Sequence, residues 1–336
     1  MPRPPLPRPP RVLVAGHDLK FFGQQAAALR ARGAVVRYDH WDGHDAHDEA
    51  ESEELLADAD VIVAQWCLGN AVWYARNRRP GQRLIVHFHR FEYDTPYPAR
   101  LDVDNVDLVV FAGPHVRDEA ARAFGWPLER LLYVPNPVDV AAFDQPKDAH
   151  ARHTLGLLGY DRQLKRLDLA LTLLARLRAA DPRFRLRVRG APGRGAGAFF
   201  AQQRERILTD PALRDAVVME GFDADVVGFF RGVGVVLSLS DIESFHLALA
   251  EGMASRCVPV IRDRPGAREL WPRQWVHDDL DTMTDAILAS AAGDMASEGE
   301  QARAFVAGHY ASDDVAEAWI RLCGVDRLDA VEAALP

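Results

Sequence analysis

Residues 238–254 read SLSDIESFHLALAEGMA and place two glutamates, Glu243 and Glu251, eight residues apart. Glu243 follows an apolar, strand-like run, and Glu251 lies within a helix-like run. If the helix is regular from one to the other, it turns through about 800°, so the two carboxylates lie within roughly 80° of each other and about 12 Å apart along the axis. That span suits an extended ligand with hydroxyls at both ends and phosphates between them. The phosphates would meet the free backbone N–H groups near Phe245 to Leu247, at the start of the helix.

This stretch resembles the donor-site motif of the retaining glycosyltransferases of family 4, which have the GT-B fold. That motif consists of Glu, a Phe-Gly turn, Glu-Ala-Met-Ala and a short strand that contains Pro. The matching residues here are Glu243, Phe245, Glu251, Met253, Ala254 and Pro259. His246 replaces the usual Gly, and Gly252 replaces the usual Ala. The resemblance implies that Glu243 meets the donor sugar and that Glu251 holds the nucleotide ribose, whereas two glutamates at this spacing alone are also compatible with solvated helix residues.

Length and composition predict a two-domain globular protein without a basic nucleic-acid-binding face. The chain has 336 residues, which is too long for one ordinary domain, and 48% of them are apolar. The net charge of -9 argues against wholesale nucleic-acid binding. No run of about 18 apolar residues occurs, so the sequence predicts no transmembrane span.

The N-terminal residues and the cysteines carry further expectations. Residues 1–10 are rich in Pro and lack the apolar core of a signal peptide, so they predict a disordered tail. Cys67, Cys257 and Cys323 each lie in an apolar setting and form no disulfide framework. Free buried thiols fit a reducing compartment, so we expect a cytoplasmic protein.

Short apolar runs rich in Val, Ile and Leu alternate with amphipathic segments along the chain. This alternation predicts parallel sheets with helices on both faces. Two such sets predict two doubly wound, Rossmann-like α/β domains, over residues 11–146 and 147–312. The resemblance implies that these domains face each other across a cleft, as in the GT-B fold. Residues 313–336 predict one or two amphipathic helices, and the resemblance implies that they cross back to the first domain.

Residues 159–168 read GYDRQLKRLD and include Lys165, one of only three lysines in the chain. This loop resembles the family's Gly-Arg-Leu, three residues, Lys-Gly, whose Arg and Lys neutralise the donor diphosphate. Lys165 keeps its spacing from the Gly, whereas Tyr160 takes the Arg place and Arg166 the Gly place. The resemblance implies that Lys165 neutralises the diphosphate, and Arg162 or Arg166 would supply the missing guanidinium. The alternative is a set of exposed cations at a helix start.

Candidate residues in the first domain follow the ends of its strands. His89 ends the fourth apolar run, where the family often has a His beside the donor sugar. Alternation puts His87 on the same side of the strand, as a hydrogen-bonded core residue. His17 and Lys20 follow the first strand and either contact the acceptor or a donor phosphate, or form an ordinary surface loop. Glu92 either reaches the same cleft or caps the following turn.

Three further patterns do not support other functions. The glycine-rich residues 190–197 lack the Gly-Lys-Ser/Thr of a nucleotide-triphosphate loop. The first loop lacks the Gly-x-Gly-x-x-Gly of a dinucleotide-binding dehydrogenase. The His and Asp residues within 40–48 continue into an acidic, polar run, so a solvated loop is favoured over a metal site.

The resemblance as a whole implies a retaining, metal-independent glycosyltransferase. The nucleotide sugar is its substrate, and no cofactor or metal is expected. The donor would bind mainly to the second domain and a hydroxyl acceptor, which would be a glycan, a lipid-linked molecule or a natural product, mainly to the first. Two alternatives stay open: a nucleotide-sugar epimerase of the same fold, and a catalytically inactive binding protein. The departures at Tyr160 and His246 are the reason to keep the second alternative.

An aromatic and basic cluster in the first domain bears on membrane contact. Its members are Trp73, Tyr74, Arg76, Arg78, Arg79 and Arg83. Family relatives that glycosylate lipids often dock on anionic membranes through such a patch. The cluster is short and the first domain is acidic, so a soluble acceptor is favoured over peripheral membrane contact.

Overall fold

The computed structural model describes residues 9–160, 162–191 and 197–325. These residues form two compact α/β units. The first unit contains the described residues up to Pro137 and those from Ser312 onward, and the second runs from Val138 to Ala311. The predicted tail 1–10, the glycine-rich loop 190–197 and the C-terminal segment 313–336 lie partly outside the described residues.

A parallel sheet of six strands organises the first unit. The strands are β1 (Arg11–Gly16), β2 (Val35–His40), β3 (Val61–Gln65), β4 (Arg83–Phe88), β5 (Leu108–Phe111) and β6 (Leu131–Tyr133), in the order β2-β1-β3-β4-β5-β6. The helices that connect them are α1 (Gly23–Ala31), α2 (Glu49–Asp58), α3 (Gly69–Asn77) and α4 (Pro114–Phe124). β3 is buried at every position, because helices cover both faces of the sheet. Ala64 lies opposite Ala15 and Gln65 opposite His87, so the residues that follow β1, β3 and β4 gather at one edge.

A second parallel sheet of six strands organises the other unit. The strands are β7 (Thr154–Leu158), β8 (Arg185–Arg189), β9 (Val217–Glu220), β10 (Val235–Ser238), β11 (Val258–Arg262) and β12 (Val276–His277), in the order β12-β11-β10-β7-β8-β9. The helices are α5 (Leu167–Ala180), α6 (Gly197–Thr209), α7 (Val226–Arg231), α8 (Leu247–Ala254), α9 (Ala267–Leu270), α10 (Leu280–Ala292) and α11 (Met295–His309). Val235 pairs with both Leu155 and Val258, so the loops after β7, β10 and β11 leave the sheet side by side. Ligands of doubly wound sheets bind at such strand ends.

The last described helix, α12 (Ser312–Leu322), belongs to the first unit. It packs against α1, and the ring of Trp319 lies 4.8 Å from that of Phe22. Trp319 is 1% exposed and shares a core with Val12 and Val14 of β1. The chain therefore returns to the first unit after it has completed the second.

The two units divide before the boundary at residue 146 that the sequence predicts. Val138 forms a bridge with Ala311, within the second unit. Asp144 pairs with Arg256 at 2.7 Å. These contacts attach the polar stretch around Asp144 to the second unit, so the division falls at Pro137 instead.

The three cysteines are buried, and none of them forms a disulfide. The expectation of free buried thiols is therefore confirmed. Cys257 lies 3.1 Å from the Nζ of Lys147, which also donates to the carbonyls of Phe230 and Val233 at 2.8 Å. Lys147 thus has a structural role, since it ties the start of the second unit to its sheet.

Candidate functional site

Glu243 lies in the loop between β10 and α8. The helix begins only at Leu247, with His246 as its N-cap residue. The prediction that one regular helix carries both glutamates is therefore wrong, and the angle and spacing calculated from it do not apply. Glu251 does lie on α8, as the sequence predicts.

The loops after β7 and β10 meet beside α8. The backbone N–H of Asp241 donates to the carbonyl of Leu164 at 2.9 Å. This contact brings the Nζ of Lys165 to 2.7 Å from the Oε1 of Glu243, and the hydroxyl of Ser240 donates to the same oxygen at 2.7 Å. The structure therefore brings two of the predicted catalytic residues, Lys165 and Glu243, into one ion pair.

The Glu243 carboxyl is held in its ionised form. Burial would raise its pKa, but the neighbouring His246 and Lys165 and the hydrogen bonds from Lys165 and Ser240 outweigh burial and lower the pKa to about 2. An ion pair withdrawn from water is costly unless further hydrogen bonds satisfy it, as the Ser240 hydroxyl does here. The pair thus presents a fixed carboxylate and a fixed ammonium near the start of α8.

His246 replaces the glycine of the family's turn, and its backbone shows why glycine is usual there. Its φ of 75° lies in the left-handed region, which strains a residue with a Cβ. The ring is held by the Oγ of Ser238, 2.6 Å from its Nδ1, and its Nε2 lies 3.8 Å from Glu243. Burial lowers the pKa of His246 to about 3, so the ring is neutral at pH 7. This packing accommodates the substitution. Leu249 and Ala250 donate their N–H groups to the carbonyl of His246, so the N–H groups of Leu247 and Ala248 precede the first intrahelical hydrogen bond.

The predicted donor-binding cations have different settings. Arg166 is bound by two carboxylates, those of Asp241 and Asp168, each at 2.9 Å. Arg162 is exposed in the loop after β7. Tyr160, which takes the place of the family's Arg, is 6% exposed and packs on Phe200 with 5.4 Å between ring centroids. This chain therefore has a core aromatic residue where the family has a phosphate-binding guanidinium.

Among the residues that the structure describes, none supplies a counter-charge that holds Glu251 ionised. Burial raises the pKa of its carboxyl to about 7, and no other cause contributes. The group is therefore poised between its neutral and ionised forms near neutral pH. A ligand with hydroxyls that donate to this carboxylate would favour the ionised form.

The side chain of Phe245 belongs to the core. It is 1% exposed, and its ring lies 5.5 Å from that of Trp271 and 4.8 Å from that of Tyr310. The contact that Phe245 can offer a ligand is its backbone N–H. Leu247 is likewise placed to act through its backbone, because it is the first residue of α8.

In the first unit, His89 follows β4 and is 7% exposed. Gln65, at the end of β3, contacts His87 of β4 and also His89. Its Oε1 lies 2.9 Å from the Nδ1 of His87, and its Nε2 lies 3.3 Å from the Nε2 of His89. Burial lowers the pKa of both rings, so they are neutral at pH 7. Gln65 was not among the residues predicted from the sequence, although a single polar residue at the end of a buried apolar strand was a signal that could have indicated it. Trp66, whose ring lies 4.2 Å from that of His89, was also missed.

The other candidates of the first unit differ in their exposure. Glu92 is fully buried and accepts the N–H of Cys67 at 2.9 Å and that of His89 at 3.0 Å. Of its two predicted roles, capping the turn is therefore the one the structure favours. Lys20 is exposed and pairs with Asp18 at 2.6 Å. His17 is half-buried beside Trp66, with 5.9 Å between the two rings.

The metal-like run 40–48 has structural roles. Asp48 caps the start of α2, and His47 stacks on Trp41 with 3.7 Å between ring centroids. Among the residues that the structure describes, no group of three His, Cys, Asp or Glu could hold a metal ion.

The aromatic and basic cluster of the first unit does not form one exposed patch. Tyr74 is buried and donates to the Oδ2 of Asp39 at 2.6 Å. Arg78 pairs with Asp107, whereas Arg76 and Arg79 are exposed. Within residues 9–160, 162–191 and 197–325, no helix has the length and apolar character needed to cross a membrane.

The comparisons with known proteins bear on the fold. The sequence matches no known family model and no curated protein sequence at a significant level. The structure is similar to that of TarM from S. aureus, with a TM-score of 0.64 and 15% identity over 78% of this chain and 54% of TarM, so this chain spans about half the length of TarM. HepE from Anabaena in complex with UDP has a TM-score of 0.74 and 15% identity over 92% of this chain and 98% of HepE. A glycosyltransferase from Rickettsia africae ESF-5 has a TM-score of 0.77 and 11% identity over 95% of this chain and 98% of that one.

These neighbours are GT-B glycosyltransferases. The predicted fold, which is α/β and GT-B with two doubly wound Rossmann-like units, is therefore confirmed. At identities of 11% to 15% the likeness concerns the fold. The chemistry has to be argued from the residues themselves.

Proposed function

We propose that the protein is a retaining glycosyltransferase that moves a sugar from a nucleotide-sugar donor to a hydroxyl acceptor. The observation that carries the proposal is the partly buried Lys165–Glu243 ion pair beside the first turn of α8. The motif resemblance around Glu243 and Glu251 agrees with it. UDP is bound to HepE, one of the structural neighbours.

In the proposed donor complex, each group acts by position and charge. Glu243 accepts hydrogen bonds from the sugar hydroxyls, and Glu251 accepts them from the ribose. Lys165 and the free N–H groups of α8 face the diphosphate and stabilise the charge that develops on it as it departs. His89, in the first unit, is neutral, so it would meet a substrate as a hydrogen-bonding group and not as a cation.

A panel of nucleotide sugars tests the proposed function. Each donor is incubated with the protein and a set of hydroxyl acceptors, and the products are separated into glycoside, epimer and free sugar. We expect a glycoside that retains the configuration of the donor sugar. An epimer without glycoside would indicate a nucleotide-sugar epimerase, and binding without any product would indicate an inactive relative.

Sugar transfer is expected to continue when a chelator removes divalent cations. In the proposed mechanism Lys165 and the α8 N–H groups supply the positive potential that a metal ion would otherwise provide. Initial rates with and without the chelator measure this. Activity that disappears and returns with magnesium or manganese would contradict the prediction.

Nucleoside binding is expected to strengthen as the pH rises through the pKa of Glu251. Below about pH 7 this carboxyl is protonated in the free protein, and above it the carboxylate accepts the ribose hydroxyls. If only the ionised form binds, the affinity rises about tenfold between roughly pH 6 and pH 8. Calorimetry with the nucleoside avoids the titration of a phosphate.

Glu251→Gln serves as the matched control for this measurement. The amide keeps the shape but does not titrate, so it should bind the nucleoside weakly and equally at each pH. Glu251→Ala should weaken binding by about 1–3 kcal/mol, the range for a lost hydrogen bond to a charged group. A pH dependence that persists in Glu251→Gln would assign the titration to another group.

A further inference from the structure

Arg264 follows β11 and is 8% exposed. Its guanidinium donates to the carbonyl of Arg262 at 3.3 Å. Among the described residues, none places a carboxylate within ion-pairing distance of it. Arginine is almost never buried without a partner, because a guanidinium withdrawn from water needs compensating charge and acceptors.

The carboxylates of the neighbouring loops are in contact with other cations. Glu243 is paired with Lys165. Asp241 pairs with Arg166 and Arg262, and Asp168 pairs with Arg166. Arg264 therefore adds one positive charge that no carboxylate of this cluster balances by direct contact.

The residue before Arg264 in the chain does not supply the missing anion. Asp263 directs its carboxylate to Arg268, at 2.9 Å. The loops after β10 and β11 leave the sheet side by side, and Arg262 pairs with Asp241 across them at 2.5 Å. Burial lowers the pKa of Arg264, and the nearby Glu243 opposes this. Arg264 therefore lies beside the loop of Glu243 without a carboxylate in direct contact with its guanidinium.

We infer that Arg264 binds the diphosphate of the nucleotide-sugar donor. This inference rests on the proposed function. It accounts for the aromatic residue at position 160, because the guanidinium absent there is supplied from the loop after β11. Arg166, which is bound by two carboxylates, is not available for this role. A planar guanidinium suits the task, since it can donate two parallel hydrogen bonds to phosphate oxygens.

The test measures binding and does not depend on turnover. Wild-type protein and Arg264→Gln are titrated by calorimetry with inorganic pyrophosphate, with the common nucleoside diphosphates and with the corresponding nucleosides. We expect Arg264→Gln to bind the diphosphates and pyrophosphate at least about tenfold more weakly, as for a lost charged hydrogen bond, and to bind the nucleoside as wild type does.

Arg268→Gln is the control, because this arginine also follows β11 but is more exposed and is already paired with Asp263 and Asp278. It should bind all three ligand classes as wild type does. If Arg264→Gln does not fold, Arg264→Lys replaces it, since this variant keeps the charge but loses the planar fork. It should still bind diphosphate more weakly than wild type.

Unchanged diphosphate affinity in a folded Arg264 variant would overturn the inference, and so would a wild-type protein that binds neither pyrophosphate nor any nucleoside diphosphate. An equal loss of nucleoside and diphosphate affinity would also overturn it, because the arginine would then only shape the pocket. Diphosphate binding that depends on Arg264, in a protein that transfers no sugar, would contradict the proposed function and leave the inference standing.

Discussion

Lys165→Ala is expected to lower the turnover of sugar transfer at least about 100-fold, as the loss of one preorganised electrostatic contact does in other active sites. The ammonium lies 2.7 Å from Glu243 in a site partly withdrawn from water. There a single charge acts more strongly on a departing diphosphate than it would in solvent. Initial rates at saturating donor and acceptor give the turnover number.

The same substitution removes the Lys165 ammonium from the partly buried Glu243, which destabilises the fold by a separate route. Denaturant unfolding of Lys165→Ala measures this loss of stability separately from turnover. Arg176→Ala is a suitable surface control, because its guanidinium is exposed and pairs with Asp281, far from the proposed chemistry. Near-normal turnover in a folded Lys165→Ala protein would exclude the proposed role.

Phe245→Ala is expected to lower the free energy of unfolding of the second unit by about 3–5 kcal/mol. The ring packs in a buried aromatic cluster with Trp271 and Tyr310, and its removal leaves a cavity among these large side chains. Denaturant unfolding, followed by tryptophan fluorescence, measures the loss.

Phe222→Ala is the matched control, because that ring is 82% exposed and its removal should change stability by less than about 0.5 kcal/mol. A Phe245→Ala protein of normal stability that binds nucleotide weakly would indicate instead that the ring touches the donor. Normal stability together with normal binding would refute both roles.

The sheets were predictable because their strands are buried on both faces and therefore read as continuous apolar runs. Such runs appear in the chain at β1, β3, β10 and β11. The boundary between the units was harder to predict, because it depends on long-range contacts. Val138 looks like part of a linker until it pairs with Ala311, far along the chain.

The site was predictable where a motif is local and missed where it depends on packing. Glu251 was placed correctly on α8, whereas Glu243 was placed on a helix that begins four residues after it. His246 has a left-handed backbone conformation, which separates Glu243 from the helix. A glycine at this position would have indicated that conformation in the sequence, whereas a histidine does not. Gln65 and Arg264 were missed because their settings come from other strands and loops.

The return of α12 to the first unit has a consequence for how the protein is made. A ribosome releases residues up to Pro137 well before it reaches Ser312, and until then the surface of Phe22 that receives Trp319 stays in water. The second unit is continuous in the chain, so it can close its core during that interval. The half of the protein that is synthesised first is thus completed last, and its nascent form presents the kind of bare apolar surface that chaperones bind.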